Sequence, residues 1–100
     1  MEKGVIGHLL VSVRCGGGSS PIAGASLEVS LNGRGGGLYF TDLSGKTELI
    51  GLEADGGYYL RAEAPLFEGG EYGPIPIIGG VTTLQNVELF PSFMKGRGER

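Results

Sequence analysis

The two side chains of this sequence best suited to nucleophilic or acid–base chemistry are those of His8 and Cys15, its single histidine and single cysteine. A cysteine becomes a strong nucleophile where a neighbouring histidine or basic cluster favours the thiolate. His8 lies on the polar phase of the first predicted strand, and Cys15 opens a loop with no histidine or basic cluster beside it. These two residues cannot supply a structural zinc site or an internal disulfide. We therefore predict no catalytic residue and no cofactor.

Three carboxylates could gather at one end of the molecule, where turns meet. They belong to Asp42, Glu53 and Asp55. A calcium site needs six or more oxygen ligands in a shaped loop, and the Asp-x-Asp-x-Asp spacing of such a loop is absent from the sequence. We therefore interpret them as solvated turn carboxylates and predict no metal site.

The balance of charge argues against a nucleic-acid partner. The chain has 8 basic and 11 acidic residues and a net charge of -3, whereas phosphate contacts need a clustered positive surface. Its apolar runs are too short for a signal-peptide core or a membrane span, so we predict no membrane insertion. A chain of 100 residues suffices for one hydrophobic core. We predict a single domain over residues 1–91 and a flexible tail over 92–100.

A period of two in the apolar residues predicts β-strands. It is clearest over residues 5–14, where Leu9, Val11 and Val13 share one face. Further strands are predicted over residues 25–31, over 38–41, from Lys46 onward, over 58–64, over 74–78 and over 81–90. Prolines restrict residues 74–78 to a sheet edge, and the polar pair Gln85-Asn86 predicts a bulge in the last strand.

Glycine-rich stretches separate these strands. Loops or turns are predicted over residues 15–20, 32–37, 51–57 and 66–73. Residues 42–45 predict the tight turn of a hairpin, since Asp42 can bond the backbone two residues on and Gly45 supplies a positive φ. Seven short strands without a helical period predict an all-β fold, a seven-stranded antiparallel Greek-key β-sandwich.

Several motifs in order resemble those of the carboxypeptidase regulatory-like domain, a transthyretin-like (prealbumin-like) β-sandwich. They are Pro21-Ile22-Ala23-Gly24-Ala25, Thr41-Asp42 with Gly45, Gly51-Leu52, Gly56-Gly57-Tyr58-Tyr59-Leu60 with Ala64-Pro65, and Val81-Thr82-Thr83 with Val87-Glu88-Leu89. The segment over residues 79–87 also resembles versions of this domain found beside cell-wall or spore proteins of Gram-positive bacteria. The resemblance implies an accessory, adhesive or structural module and favours a cell-surface or extracellular location, although we find no signal peptide in this chain.

Proteins that contain a similar sandwich carry reactive side chains that this sequence lacks. Metallocarboxypeptidases keep their zinc ligands in a separate domain, and hydroxyisourate hydrolases need several histidines where this chain has His8 alone. Collagen-binding adhesin B-type repeats cross-link a lysine to an asparagine, for which Asn86 is a candidate acceptor. Arg14 and Ala62 stand where those repeats carry the lysine and the catalytic glutamate, so we expect no such bond.

The remaining surface predicts protein contacts. Residues 5–14 are interpreted as an exposed edge strand whose backbone could pair with another chain, and tyrosines are favoured at interfaces. The predicted interface residues are Val5, Ile6, Leu10, Tyr39, Tyr59, Tyr72 and Phe93. We expect a non-catalytic structural or adhesion module of a bacterial cell-envelope, spore-surface or extracellular assembly, with a protein partner or self-association. The alternative is an accessory carbohydrate- or peptide-binding module cut from a larger secreted enzyme.

Overall fold

Seven strands form the fold of the computed structural model, which describes residues 5–17, 20–31, 34–54 and 57–92. The strands are β1 (Ile6–Cys15), β2 (Ser26–Leu31), β3 (Arg34–Phe40), β4 (Lys46–Glu53), β5 (Gly57–Glu63), β6 (Gly70–Pro76) and β7 (Thr82–Leu89). The predicted all-β fold is therefore confirmed. No helix of the described residues is long and apolar enough to cross a bilayer.

The strands form two sheets. One has the order β4-β1-β7 and the other the order β3-β2-β5-β6. β1 pairs antiparallel with β4 but parallel with β7, from His8 opposite Thr82 to Cys15 opposite Leu89. The prediction of a wholly antiparallel fold was wrong at this pair, because apolar alternation reports which face is buried and not the direction of the neighbouring strand.

One hydrophobic core lies between the sheets. Leu9, Val11 and Val13 of β1 are fully buried, as their shared phase predicts. The other buried apolar residues are Ile22, Ala25, Leu27, Val29, Leu49, Tyr58, Leu60, Ala62, Ile75, Ile77, Val87 and Leu89. Each buried aliphatic side chain contributes about 1.5–3 kcal/mol relative to exposure, so this layer is the main source of stability.

The turn at residues 42–45 forms as predicted, but it does not close a hairpin. Gly45 N–H donates to Asp42 O at 2.9 Å, and Gly45 has a φ of 77°. β3 before the turn and β4 after it belong to different sheets. Local turn chemistry specifies a chain reversal, whereas the choice between pairing and crossing depends on which neighbours cover each strand's apolar face.

Thr41 anchors this crossing from inside the molecule. Its hydroxyl donates to Ile22 O at 2.6 Å and accepts from the Ala25 N–H at 2.9 Å. Its side chain is buried. The two bonds fasten the β1–β2 connection to the end of β3, and so fix where the chain passes from one sheet to the other.

Several predicted loops are strands. Gly35, Gly36 and Gly37 lie in β3, residues 51–53 lie in β4, and residues 70–73 lie in β6. Glycine is disfavoured in strands because of its backbone entropy, but pairing with a neighbouring strand overrides that preference here, since Gly37 lies opposite Val29, Gly35 opposite Ser30 and Gly70 opposite Ala62. The bulge predicted at Gln85-Asn86 was also wrong, since β7 pairs with β1 without a register shift.

The described chain enters and leaves the sandwich at opposite ends. Val5 precedes the start of β1, Ser92 follows the end of β7, and these two strands run parallel. We call the end that holds Val5 the entry end. The predicted tail falls outside the described residues from Phe93 onward.

Candidate binding surface

His8 and Cys15 lie too far apart to act together. His8 is near the start of β1 and Cys15 is its last residue, so at about 3.3 Å per residue they are separated by roughly 23 Å. His8 Nδ1 accepts a hydrogen bond from the Gly51 N–H at 3.3 Å, and the thiol of Cys15 faces Gly16 O at 3.9 Å. Neither contact activates a nucleophile.

The turn carboxylates do not meet. Asp42 precedes the first residue of β4 and Glu53 is its last, so they lie at opposite ends of an extended segment of about 25 Å. The Asp42 carboxylate accepts bonds from the Lys46 and Ser44 N–H groups, which hold its pKa below the ordinary 3.8. Asp55 lies outside the described residues. Among the residues that are described, no three His, Cys, Asp or Glu side chains are grouped to hold a metal ion.

Asn86 is not placed for an internal cross-link. It is exposed and lies opposite Ser12 on the outer phase of the β4-β1-β7 sheet. Glu63, the carboxylate residue next to Ala62, is also exposed, on the other sheet. A cross-link of the kind formed by B-type repeats requires a buried carboxylate beside its reactants, and these two side chains face solvent from different sheets.

Of the three tyrosines predicted to lie at an interface, Tyr59 has its side chain on the outer face. Tyr59 is exposed on β5. Tyr39 pairs with buried Leu27, and Tyr72 pairs with buried Leu60, so both have the inward phase and pack against the core. The outward assignment of Tyr39 was wrong because it shares the phase of buried Thr41, while the more apolar Leu38 and Phe40 face outward. That of Tyr72 was wrong because residues 70–73 form a strand, and a bulge between Tyr72 and Ile75 puts both on the inward side. Tyr58 is buried, and burial raises the pKa of its hydroxyl, which donates to Glu53 O at 3.0 Å.

The predicted edge strand β1 is the central strand of its sheet, so that interpretation was wrong. β4 and β7 flank it, and Leu10 is only partly exposed between Glu48 and Leu84. The long apolar character of β1 therefore reflects a strand with a neighbour on either side.

Val5 and Ile6 are exposed for a different reason. They lie at the entry end beside the β6–β7 connection, where the Gly80 N–H donates to Ile6 O at 2.8 Å. Ile78 and Val81 of that connection are also exposed. The four side chains form an apolar patch at one end of the sandwich and not along a strand edge.

Of the four true edge strands, β4 and β6 are blunted along their length and β7 in its late part. β4 carries Lys46, Glu48 and Glu53, and β6 contains Pro74 and Pro76. The late part of β7 is covered, because Tyr72 donates its hydroxyl to Glu88 O at 2.9 Å and the Glu68 N–H donates to Phe90 O at 2.8 Å. Charge, proline and coverage are devices that prevent edge pairing.

β3 lacks these devices along its C-terminal half. The Thr41 N–H donates to Ala25 O and the Thr41 carbonyl accepts from the Gly24 N–H, both at 3.0 Å, so the Thr41 backbone faces β2. Backbone groups alternate in direction along a strand. The N–H and C=O of Leu38 and Phe40 therefore face away from β2, at the open edge of the sheet.

The side chains of the same two residues are exposed on the outer face. Leu38 is 59% exposed and Phe40 58% exposed. They lie opposite Glu28 and Ser26 of β2. We call Leu38, Phe40 and their outward backbone groups the edge surface. It combines unpaired hydrogen-bonding groups with apolar area, the two features that an added strand uses.

The sequence prediction missed the edge surface. The segment 38–41 was assigned to a hairpin with β4, which would have covered its backbone, and the exposed edge was assigned to β1. The available signal was the absence of charged and proline residues from Gly35 to Phe40, which contrasts with β4 and β6.

A shallow cleft lies beside β3 at the entry end. Its volume is about 590 Å³, and it lies between β3 and β4. Glycines form much of its wall, and the described lining residues are Leu31, Arg34, Gly35, Gly36, Gly51, Leu52, Glu53 and Tyr58. Arg34 and Glu53 place opposite charges at the cleft, whereas its one aromatic residue, Tyr58, is buried.

Comparison with known proteins relates this architecture to solved structures. No family model matches the chain, and no curated protein matches it. The structure of the Bacillus anthracis TIE protein matches with a TM-score of 0.71 and 17% sequence identity. The two proteins share a fold. The match covers 87% of this chain and 17% of that chain, so the likeness concerns one part of a longer protein.

Proposed function

We propose that this chain is a non-catalytic structural or adhesion module that binds protein by accepting an extended strand at the edge surface. The single observation that carries the proposal is the coincidence, at Leu38 and Phe40, of outward backbone groups with exposed apolar side chains. Strand addition takes its affinity from the backbone groups and its specificity from the side chains. β4 and β6 are blunted and β7 is covered in its late part. The early part of β7 offers Leu84 as a single exposed apolar side chain where β3 offers two, so the β3 edge is favoured.

A cell-envelope, spore-surface or extracellular assembly of a bacterium is the proposed setting. The support is the resemblance to carboxypeptidase regulatory-like domains and the fold shared with a protein of Bacillus anthracis. The opposite positions of Val5 and Ser92 also suit a module within an extended assembly, because contacts at one end do not obstruct the other.

We also propose that the sandwich has a Greek-key, transthyretin-like topology and belongs with the carboxypeptidase regulatory-like domains. The support is the set of crossing connections. β1 to β2, β3 to β4, β4 to β5 and β6 to β7 each pass from one sheet to the other. Repeated crossings of this kind build the two-sheet cores of β-sandwiches.

An accessory carbohydrate- or peptide-binding module is the second candidate. The cleft between Arg34 and Glu53 is the observation that favours it. Because the tyrosine there is buried and offers no exposed ring, the charged walls suit a short polar peptide better than a sugar ring.

The test uses a peptide whose backbone can be disabled. An eight-residue peptide of alternating Thr and Val is prepared unmodified, N-methylated on one set of alternate residues, and N-methylated throughout. Strand addition predicts that the first two bind, whereas full methylation removes every donor and abolishes binding. Heteronuclear NMR should locate the shifts at Leu38 and Phe40.

Two proline variants provide a matched pair. Leu38→Pro removes an edge N–H from β3 without removing a bond to β2, and Leu84→Pro does the same on β7. We expect Leu38→Pro to weaken peptide binding at least about tenfold and Leu84→Pro to leave it unchanged, with circular dichroism confirming that both fold. Equal binding by all three peptides, or equal loss in both variants, would reject the edge surface as the site.

A further inference from the structure

The outward backbone groups of the edge surface are arranged so that a second copy of the chain can satisfy them. Resting on the proposed function, we propose that two copies pair antiparallel through β3, with Tyr39 on the two-fold axis. In this register Leu38 of one copy lies opposite Phe40 of the other. Each such pair exchanges two N–H···O=C bonds, so the outward N–H and C=O groups of both residues in both copies find partners.

The side chains match in the same register. Leu38 and Phe40 have the outer phase of the sheet, so the pairing sets an aliphatic side chain beside an aromatic one on each side of the axis. Such cross-strand pairs stabilise antiparallel sheets. The exposed area of both side chains, 59% and 58% in the single chain, is reduced in each copy at once.

Charge complementarity favours a second copy as the partner. Arg34 begins β3, and Asp42 follows it in the turn. In the proposed register Asp42 of one copy lies opposite Gly36 of the other, two residues from Arg34, so opposite charges flank the paired segment at both ends. No like charges face one another there, because the residues from Gly35 to Thr41 are uncharged.

The predicted assembly is a closed dimer. A two-fold contact uses the same surface on both copies and leaves no further β3 edge to extend it. Few side chains are covered, so the dimer is weak, with a dissociation constant of about 0.1 mM as the expected scale. Cross-linking is therefore a better test than gel filtration at low concentration.

The test places cysteines at the two paired positions. Leu38→Cys and Phe40→Cys are combined in a Cys15→Ser background. The proposed register puts each new thiol opposite one in the other copy, with Cα atoms about 5.5 Å apart, within the range that a disulfide spans. Under mild oxidation we expect dimers to form at least about ten times faster than in either control.

The first control is Leu38→Cys alone. In the proposed register each Leu38 lies opposite Phe40 of the other copy, so the two new thiols do not face each other and are too far apart to bond. The second is Leu84→Cys with Asn86→Cys on β7. The backbone carbonyl of Glu88 faces Tyr72 and not β1, and residues 84 and 86 alternate in step with Glu88, so their backbone groups also face away from β1. The pair therefore places two cysteines at the same two-residue spacing on another sheet edge. The unoxidised variants should retain the far-ultraviolet circular dichroism of the parent.

The outcomes separate this inference from the proposed function. Equal rates in the β3 and β7 variants, or oligomers larger than dimers, would overturn pairing through β3. A chain that stays monomeric at about 1 mM, yet still binds the peptide N-methylated on one set of alternate residues, would overturn self-pairing and leave the strand-receiving function intact. A monomer that binds no peptide would overturn both.

Discussion

Removing the hydroxyl of Thr41 should destabilise the protein more than any loss of apolar area explains. Thr41→Val keeps the shape of the side chain but leaves Ile22 O and the Ala25 N–H without the bonds at 2.6 and 2.9 Å that they now make. Each buried group left unsatisfied costs about 1–3 kcal/mol, and the new methyl group returns about 0.8 kcal/mol. Two such groups at the middle of that range, less the methyl contribution, give an expected net loss of about 3 kcal/mol.

The assay is urea unfolding followed by tyrosine fluorescence, with Thr41→Ser as the matched control. Serine keeps the hydroxyl and loses one methyl group, so it should cost about 1 kcal/mol. For a domain of this size the valine variant should also melt at least about 10 °C lower. A valine variant within about 0.5 kcal/mol of the parent, or a serine variant equally unstable, would refute the role of the two bonds.

Two further substitutions test the same turn. Gly45→Ala should cost about 2 kcal/mol or more, since at a φ of +77° its new Cβ would lie 2.6 Å from Val13 O. The control Gly80→Ala has a similar φ of +81° but open space around the Cβ, so it should cost only about 1 kcal/mol for the backbone. Equal costs in thermal melts would contradict this packing argument. Asp42→Asn keeps an acceptor but cannot ionise. Because the pKa of Asp42 is lowered in the folded state, its contribution is present above the unfolded pKa of about 3.9 and is lost as pH falls toward the folded value. The advantage of the parent over Asp42→Asn should therefore shrink below about pH 4, and a constant difference from pH 7 to pH 2.5 would exclude this linkage.

Burial was predictable where the alternation was long. Leu9, Val11 and Val13 are buried as expected. A period of two specifies which side chains share a face, and a soluble chain must bury the apolar one. Separately, the missing N–H of proline placed residues 74–78 at a sheet edge, and β6 is an edge strand.

Phase was not predictable where bulges interrupt short strands. β3 shifts its register between the partners Val29 and Ser30, and β6 between the partners Tyr58 and Leu60. Each bulge inserts a residue and reverses the faces beyond it. The bulge in β6 is why Tyr72, expected on the surface, packs against the core on the side of Ile75. Tyr39 lies in continuous register with buried Thr41, and it was misplaced because the more apolar Leu38 and Phe40 are the residues that face outward.

The sequence by itself determined the strand-rich character of the chain, its main buried faces and the reversal at residues 42–45, because these depend on local backbone preferences and on alternation. Only the tertiary structure decided that the reversal crosses between sheets, that β1 is central and that β3 is the accessible edge. Those properties depend on which strands become neighbours. Neighbours are selected by burial summed over the whole sandwich, a quantity that no single segment encodes.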